Sequence, residues 1–102
     1  MVHVISRKRL REFWSQRPYR DSEMPLREWF KTVSQAEWHN HAEVRQTYKH
    51  ADPVGDCTVF NVGGNKYRLI TKIFYRHQTV LVRAVLTHKE YDEKRWKDDC
   101  NC

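Results

Sequence analysis

Three cysteines, three glycines and three prolines are all that this 102-residue sequence has of each. The cysteines, Cys57, Cys100 and Cys102, are odd in number and show no framework spacing, which argues against a small secreted scaffold held by paired bridges. Reduced thiols in a cytoplasmic protein are the expectation. No apolar run approaches the roughly 20 residues that cross a bilayer. Arg7, Lys8, Arg9 and Arg11 interrupt the start, where a leader would need an apolar stretch. No membrane span is therefore expected, and the basic amphipathic helix that would lie on a membrane surface is absent too, so no membrane partner is expected. The chain also lacks an internal repeat, a low-complexity stretch and any linker long enough to divide it.

The most informative absence is of negative charge. Between Cys57 and Lys89 there is no Asp or Glu, while Lys66, Arg68, Lys72, Arg76, Arg83 and Lys89 supply six cations. Elsewhere basic and acidic residues are equal at thirteen each, so the whole net charge of +6 lies in about a third of the chain. A concentrated cationic surface suits an anionic partner such as nucleic acid, an acidic protein or a membrane surface. The plain alternative is a solvated basic face that aids solubility.

What is present is enough for one core. A chain of this length buries roughly 60–70% of its unfolded surface, and thirteen aromatics, four of them Trp, supply bulk. Val2 to Ile5 reads as a short strand. Ser6 then caps a helix with an apolar stripe of Leu10, Phe13 and Trp14, stopped by Pro18. Arg7, Lys8 and Arg9 crowd its first turn, where the helix dipole disfavours cations. Pro25 opens a second helix with Leu26, Trp29, Phe30 and Val33 on one face, and Trp14, Trp29 and Phe30 are assigned to the core. Asn40 and Glu43 have the form of a capping box before a short helix carrying Val44 and Tyr48. Ala51 to Asp56 is turn chemistry.

From Cys57 the period changes to two. Thr58–Val62, Asn65–Tyr75 and Val80–Leu86 are expected as an antiparallel meander, the first pair joined by a two-residue Gly63-Gly64 turn. Helices before strands indicate an α+β domain over 1–102, with a helical half at about 6–50, a sheet half at about 57–92, and 94–102 as a loose C-terminal extension. Alternation puts Tyr67, Leu69, Thr71, Ile73 and Tyr75 on one face of the second strand, towards the helices. Lys66, Arg68, Ile70, Lys72 and Phe74 fall on the other. In the third strand Val80, Val82, Ala84 and Leu86 form the apolar face. Arg83 then joins Lys66, Arg68 and Lys72 on an open surface, unless it pairs with an acid from a helix. Cations among apolar side chains suit unstacked single-stranded RNA.

Thr87-His88-Lys89-Glu90-Tyr91-Asp92 follows at the rim of this surface. An imidazole beside fixed cations has what RNA cleavage needs without a metal: a base for the 2′-hydroxyl and positive charge for the phosphorane. As an ordinary reading, His88 is a surface histidine and Tyr91 packs against Trp96 or the sheet edge. Cys100-Asn101-Cys102 offers two thiols, too few for a closed zinc site unless His39 and His41 come near, so neither metal nor cofactor is expected.

Val59-Phe60-Asn61-Val62-Gly63-Gly64-Asn65, Tyr67-Arg68-Leu69 and Thr87 to Asp92 together resemble the HigB toxins, a branch of the RelE-like messenger-RNA interferases of type II toxin–antitoxin systems. The likeness extends more loosely over the N-terminal helices, including Ile5 to Lys8 and Leu10. It implies a small microbial-RNase-type α+β fold with helices on one face of an antiparallel sheet. It also implies a metal-independent endoribonuclease that cuts translated mRNA in the A site of the 70S ribosome. The implied partners are a HigA-type helix-turn-helix antitoxin and, through that complex, operator DNA. Arg68 matches the strand arginine that stabilises the scissile phosphate, His88 is the implied base, Tyr91 a supporting or acid residue, and Lys89 a phosphate contact. Lys66, Lys72, Arg83 and Arg76 are left to hold the RNA backbone. A non-catalytic module that blocks translation by occupancy is the alternative.

Overall fold

The computed structural model describes all residues, 1–102. Strand β1 (His3–Ile5) leads into helix α1 (Arg7–Trp14), followed by a 3₁₀ segment (Arg17–Ser22), α2 (Glu23–Ser34) and α3 (His41–Thr47). Strands β2 (Asp52–Val54), β3 (Cys57–Val62), β4 (Tyr67–Phe74) and β5 (Thr79–Thr87) come next, then α4 (His88–Glu93) and a 3₁₀ segment (Arg95–Cys100). The five strands lie in the order β1-β5-β4-β3-β2. The expected α+β architecture with N-terminal helices is present, and β3-β4-β5 form the expected antiparallel meander.

The sheet is mixed, because β1 runs parallel to β5 along one edge. At the other edge the turn-like Ala51–Asp56 segment contains a strand. Asp52, Pro53 and Val54 pair with Val59, Thr58 and Cys57. Pro53 is tolerated there because an edge strand needs its N–H groups on one side only. The β3–β4 connection is also longer than a two-residue turn. Val62 pairs with Tyr67, so Gly63 to Lys66 all belong to the turn, with Gly63 and Gly64 at φ of 64° and 68°. That removes Lys66 from the strand.

The helical caps follow from local chemistry, with small departures. Ser6 occupies the N-cap of α1 without a side-chain cap bond, and the helix ends at Trp14, ahead of Pro18. Asn40 Oδ1 accepts from Glu43 N at 3.0 Å, but the Glu43 carboxylate accepts from His39 N at 2.8 Å instead of closing the box on Asn40. A full capping box forms instead at Thr87 and Glu90, where each side chain accepts from the other's backbone N–H at 3.2 and 3.0 Å. This T-x-x-E pattern sits within the segment that sequence reading treats purely as chemistry.

The principal core lies between the helices and one face of the sheet. Leu10, Leu26, Val33, Val44, Leu69, Val80 and Val82 are fully buried there. Phe60 is its centre, with Trp29 and Tyr48 edge-on at 5.4 and 5.3 Å and Trp38 stacked at 6.2 Å. Trp14, Trp29 and Phe30 are core or core-packed, as assigned. Strand β4 alternates as expected, with Tyr67, Leu69 and Ile73 towards the helices and Ile70 in a second cluster.

Strand β5 does not keep the expected alternation. Ile70 pairs with Ala84 and Thr71 with Val82, so Arg83 is an extra residue opposite no partner. Such a bulge moves every later side chain to the opposite face. Val85 accordingly packs on the helical core, while Ala84 and Leu86 pack on the second cluster. Arg9 Nη1 donates to the Arg83 carbonyl at 3.2 Å.

The second cluster joins Cys57, Val59, Ile70 and Cys100, with Trp96 and Tyr91 packed on it. The C-terminal segment expected to be loose therefore covers this face. Cys57 and Cys100 form a disulfide with Cα atoms 5.2 Å apart, which overturns the expectation of reduced thiols; Cys102 is the free, exposed cysteine. The two partners lie 43 residues apart in sequence and are both buried, so their meeting depends on tertiary packing.

Truncating the ring at the core's centre should be costly. Phe60→Ala is expected to lose about 3–5 kcal/mol, read from the shift of the urea midpoint. A midpoint near that of the unmodified protein would show that the aromatic cluster is not what holds the helices to the sheet.

Candidate nucleic-acid interface

At the start of β4 the second face is no longer covered. Arg68 lies there, opposite Asn61 of β3 and Leu86 of β5. Its Nη1 donates to the Asn65 carbonyl at 2.9 Å, and the guanidinium carbon stands 5.2 Å from the centre of the Tyr91 ring. That distance is within cation–π range. Tyr91 is carried by α4, started by the Thr87–Glu90 box immediately after β5. Its other neighbour is Trp96, whose ring stacks at 4.9 Å and 13°. Tyr91 thus both packs on Trp96, as the ordinary reading has it, and meets Arg68.

A cleft of about 380 Å³ opens beside this pair. Asn61, Arg68 and Tyr91 form one side, and Arg45, Lys49, His50 and Asp52 enter from α3 and the segment that follows it. Arg45 Nε donates to the Lys49 carbonyl at 3.2 Å, which ties that segment to the helix. Sequence reading missed Arg45, Lys49 and His50. They lie outside the acid-free stretch, and only the path of the chain from α3 into β2 brings them to Arg68.

Burial raises the Tyr91 phenol above its ordinary range; the Asp52 charge adds to this and Arg68 opposes it. The phenol is therefore protonated at neutral pH and able to donate. The arrangement offers three cations, an imidazole and a phenolic proton around one cavity, which suits a phosphodiester: charge for its oxygens, and a base and an acid for proton transfer.

The other candidates are distributed differently. His88 and Lys89 stand on the first turn of α4, both exposed, and His88 Nδ1 lies 3.0 Å from the Asp92 carboxylate, outside the cleft lining. Arg83 is not on an open cationic surface. Its Nε and Nη2 hold both oxygens of Asp99 at 2.6 and 2.8 Å, so it pairs with an acid, carried by the C-terminal 3₁₀ segment. Lys72, one strand over, adds its field to Arg83 in holding the Asp99 carboxyl below its usual value. Arg76 occupies the turn beyond the far end of β4. Lys66 pairs with Asp21, away from Arg68. His39 pairs with Glu43 at 2.9 Å.

Asp21 organises the turn below the site. It accepts from the Lys66 ammonium and, at 2.5 Å, from the Tyr67 hydroxyl. Lys66 and then Tyr67 hold its carboxyl below the usual carboxylate range. In return, burial and the Asp21 acceptor push the Tyr67 phenol up to about 12.

Comparison with known proteins identifies the family. The family described as HigB_toxin, the RelE-like toxic component of a toxin–antitoxin system, matches residues 22–94. The mRNA interferase toxin HigB of Escherichia coli strain K12 is 28% identical over 94 residues, covering 89% of this chain and 88% of the relative. The mRNA interferases HigB of Escherichia coli O157:H7 and Shigella flexneri match to the same extent. No helix is long and apolar enough to cross a membrane.

The Tyr67–Asp21 pair has a pH signature. A phenol whose pKa is raised on folding contributes its stability in full below the unfolded value near 10, and loses it as pH climbs towards about 12. Melting temperature should therefore fall between pH 10 and 12 more steeply for the unmodified protein than for Tyr67→Phe. Parallel curves would show that the hydroxyl does not hold its proton through Asp21.

Proposed function

The chain belongs to the RelE-like HigB toxin family of toxin–antitoxin systems, and we propose that it is an endoribonuclease that cuts messenger RNA at the Arg68–Tyr91 cleft. The observation that carries this reading is the convergence of Arg45, Lys49, His50, Arg68 and Tyr91 around one cavity of nucleotide scale. The names of the relatives, mRNA interferases, point to the same substrate.

The scissile phosphate sits against the Arg68 guanidinium, with Lys49 and Arg45 on the opposite wall. A 2′-hydroxyl gives its proton to the His50 imidazole, and its oxygen attacks the adjacent phosphorus. Negative charge gathers on the non-bridging oxygens, where Arg68 and Lys49 stabilise it. The bond to the 5′-oxygen breaks, that oxygen takes the Tyr91 proton, and a 2′,3′-cyclic phosphate remains. Held by Asp92, His88 is the second imidazole of the region and serves as base or acid if the RNA path crosses the first turn of α4. Lys89 meets a flanking phosphate there. Arg83 and Lys72 guide the backbone only where Asp99 leaves them charge to share, and Lys66 and Arg76 border longer RNA. No metal enters this scheme.

Cutting takes place on translated message in the ribosomal A site, in the cytoplasm. A HigA-type antitoxin neutralises the protein and carries it to operator DNA.

Mapping of message ends by primer extension in a translating extract tests the scheme. Discrete breaks favour cleavage, and intact messages with stalled translation favour the occupancy alternative. Arg68→Ala should lower the cleavage rate by about 10²–10³-fold. His50→Ala is expected to lower it by about 10²–10⁴-fold and His88→Ala by less. Retained circular dichroism and antitoxin binding would show that the variants fold. Full cleavage by folded Arg68→Ala would overturn the site, and a larger loss at His88 than at His50 would move the base to α4.

A further inference from the structure

The family match ends at residue 94, yet the residues beyond it support the cleft. Trp96 Nε1 donates to the Tyr91 carbonyl at 2.9 Å while its ring stacks on the Tyr91 ring, so one side chain fixes both backbone and plane. Tyr91 in turn lies under the Arg68 guanidinium. Helix α4 has only six residues, too few to hold Tyr91 in place without tertiary support.

The segment carrying Trp96 is itself tied down at several points. Asp99 takes two hydrogen bonds from Arg83, and Cys100 is buried and bonded to Cys57 at the start of β3. The Cys100 carbonyl accepts from Asp56 N at 2.8 Å, and Asn101 donates to the Asp56 carboxylate. Gly55, at φ 56°, leaves the space through which this carbonyl passes; a Cβ there would collide with it.

We propose that residues 95–100 are a positioning element for the Arg68–Tyr91 pair, with Trp96 as its contact residue, and that the Cys57–Cys100 bond makes this positioning sensitive to reduction. The inference rests on the nuclease reading of the cleft. A dithiol reductant supplies two electrons and two protons: the sulfur–sulfur bond opens to two thiols, and the reductant closes to its own disulfide. The segment then keeps its Asp99, Trp96, Asn101 and backbone contacts but loses its covalent tie to β3, and the ring that orients Arg68 is freer to shift. Misplacement of a charge-stabilising group by about 1 Å costs turnover on the order of 10²-fold.

The experiment measures single-turnover cleavage and message binding for the full-length protein, Trp96→Ala, Trp96→Phe and Arg68→Ala, each with its disulfide intact and after treatment with dithiothreitol. With the disulfide intact, Trp96→Ala should lose about 10-fold to about 100-fold in kcat with message affinity and circular dichroism unchanged, and Trp96→Phe, which keeps the stacked ring, should recover most of it. Dithiothreitol should lower kcat of the unmodified protein in the same way. Unaltered kcat in Trp96→Ala, or in the fully reduced protein, would overturn the proposal. Arg68→Ala separates the two levels. If it stays active, the cleft itself is wrong; if it is inactive while Trp96→Ala is normal, only the positioning role fails.

Discussion

Strand β4 is paired on both sides, to β3 and to β5, so it cannot slip by one residue without turning Leu69 out of the helical core and Arg68 into it. That register is held from several directions at once. Leu69 is fully buried beneath the helices, Ile70 is buried on the opposite face, Thr71 donates to the Thr58 carbonyl at 2.8 Å, and the Tyr67 hydroxyl is held by Asp21. A cation on such a strand is placed by the core, with no flexible loop between it and the packed interior. This answers why Arg68 stands among apolar residues: the burial of its neighbours is what fixes its position.

The cationic excess is divided by pairing. Asp21 takes Lys66 and Asp99 takes Arg83, while Arg68 meets only carbonyl oxygens and an aromatic face. Exposed pairs of this kind contribute about 0–1 kcal/mol, so stability does not account for them. Their effect is on the field. They reduce positive potential at the turn and at mid-sheet, while Arg45, Lys49 and Arg68 face one another across a cleft whose one acid is Asp52. A phosphate approaching the second face meets, at that end, three cations that form no ion pair.

The elements carried by periodicity and caps were legible in the residues. The stripe of Leu26, Trp29 and Val33 is buried as its spacing requires, and the Arg68 face of β4 follows from simple alternation. What was not legible depended on contacts between distant segments. A bulge at Arg83 adds one residue to a run, Val80 to Leu86, that alternates acceptably in either register. With only three cysteines, no spacing argument pairs Cys57 with Cys100. His50 and Lys49 follow a short helix in an unremarkable stretch, and only the path of the chain into β2 brings them to the cleft. The capping box at Thr87 and Glu90 was readable, since T-x-x-E is a local signal, but the chemical reading of His88 obscured it. Two of that motif's six residues serve to start a helix.

The cleft lies where the covering of the sheet changes hands. Over mid-sheet, the second face is closed by Trp96 and Cys100 resting on Val59 and Ile70; at the β4 start, α3 and the segment after it stand off far enough to leave a cavity. Were the C-terminal segment to cover one strand position more, Arg68 would be buried and would need an acid partner, as Arg83 has in Asp99. Were it to cover one fewer, Ile70 would be bared, and the surface that receives RNA would gain an apolar patch with no charge selectivity. Tyr91 stands at this boundary, with one ring face on the covering layer and the other towards the guanidinium. The edge of a packed layer, and not a preformed pocket in the core, is thus what gives this small sheet a place to hold a phosphate.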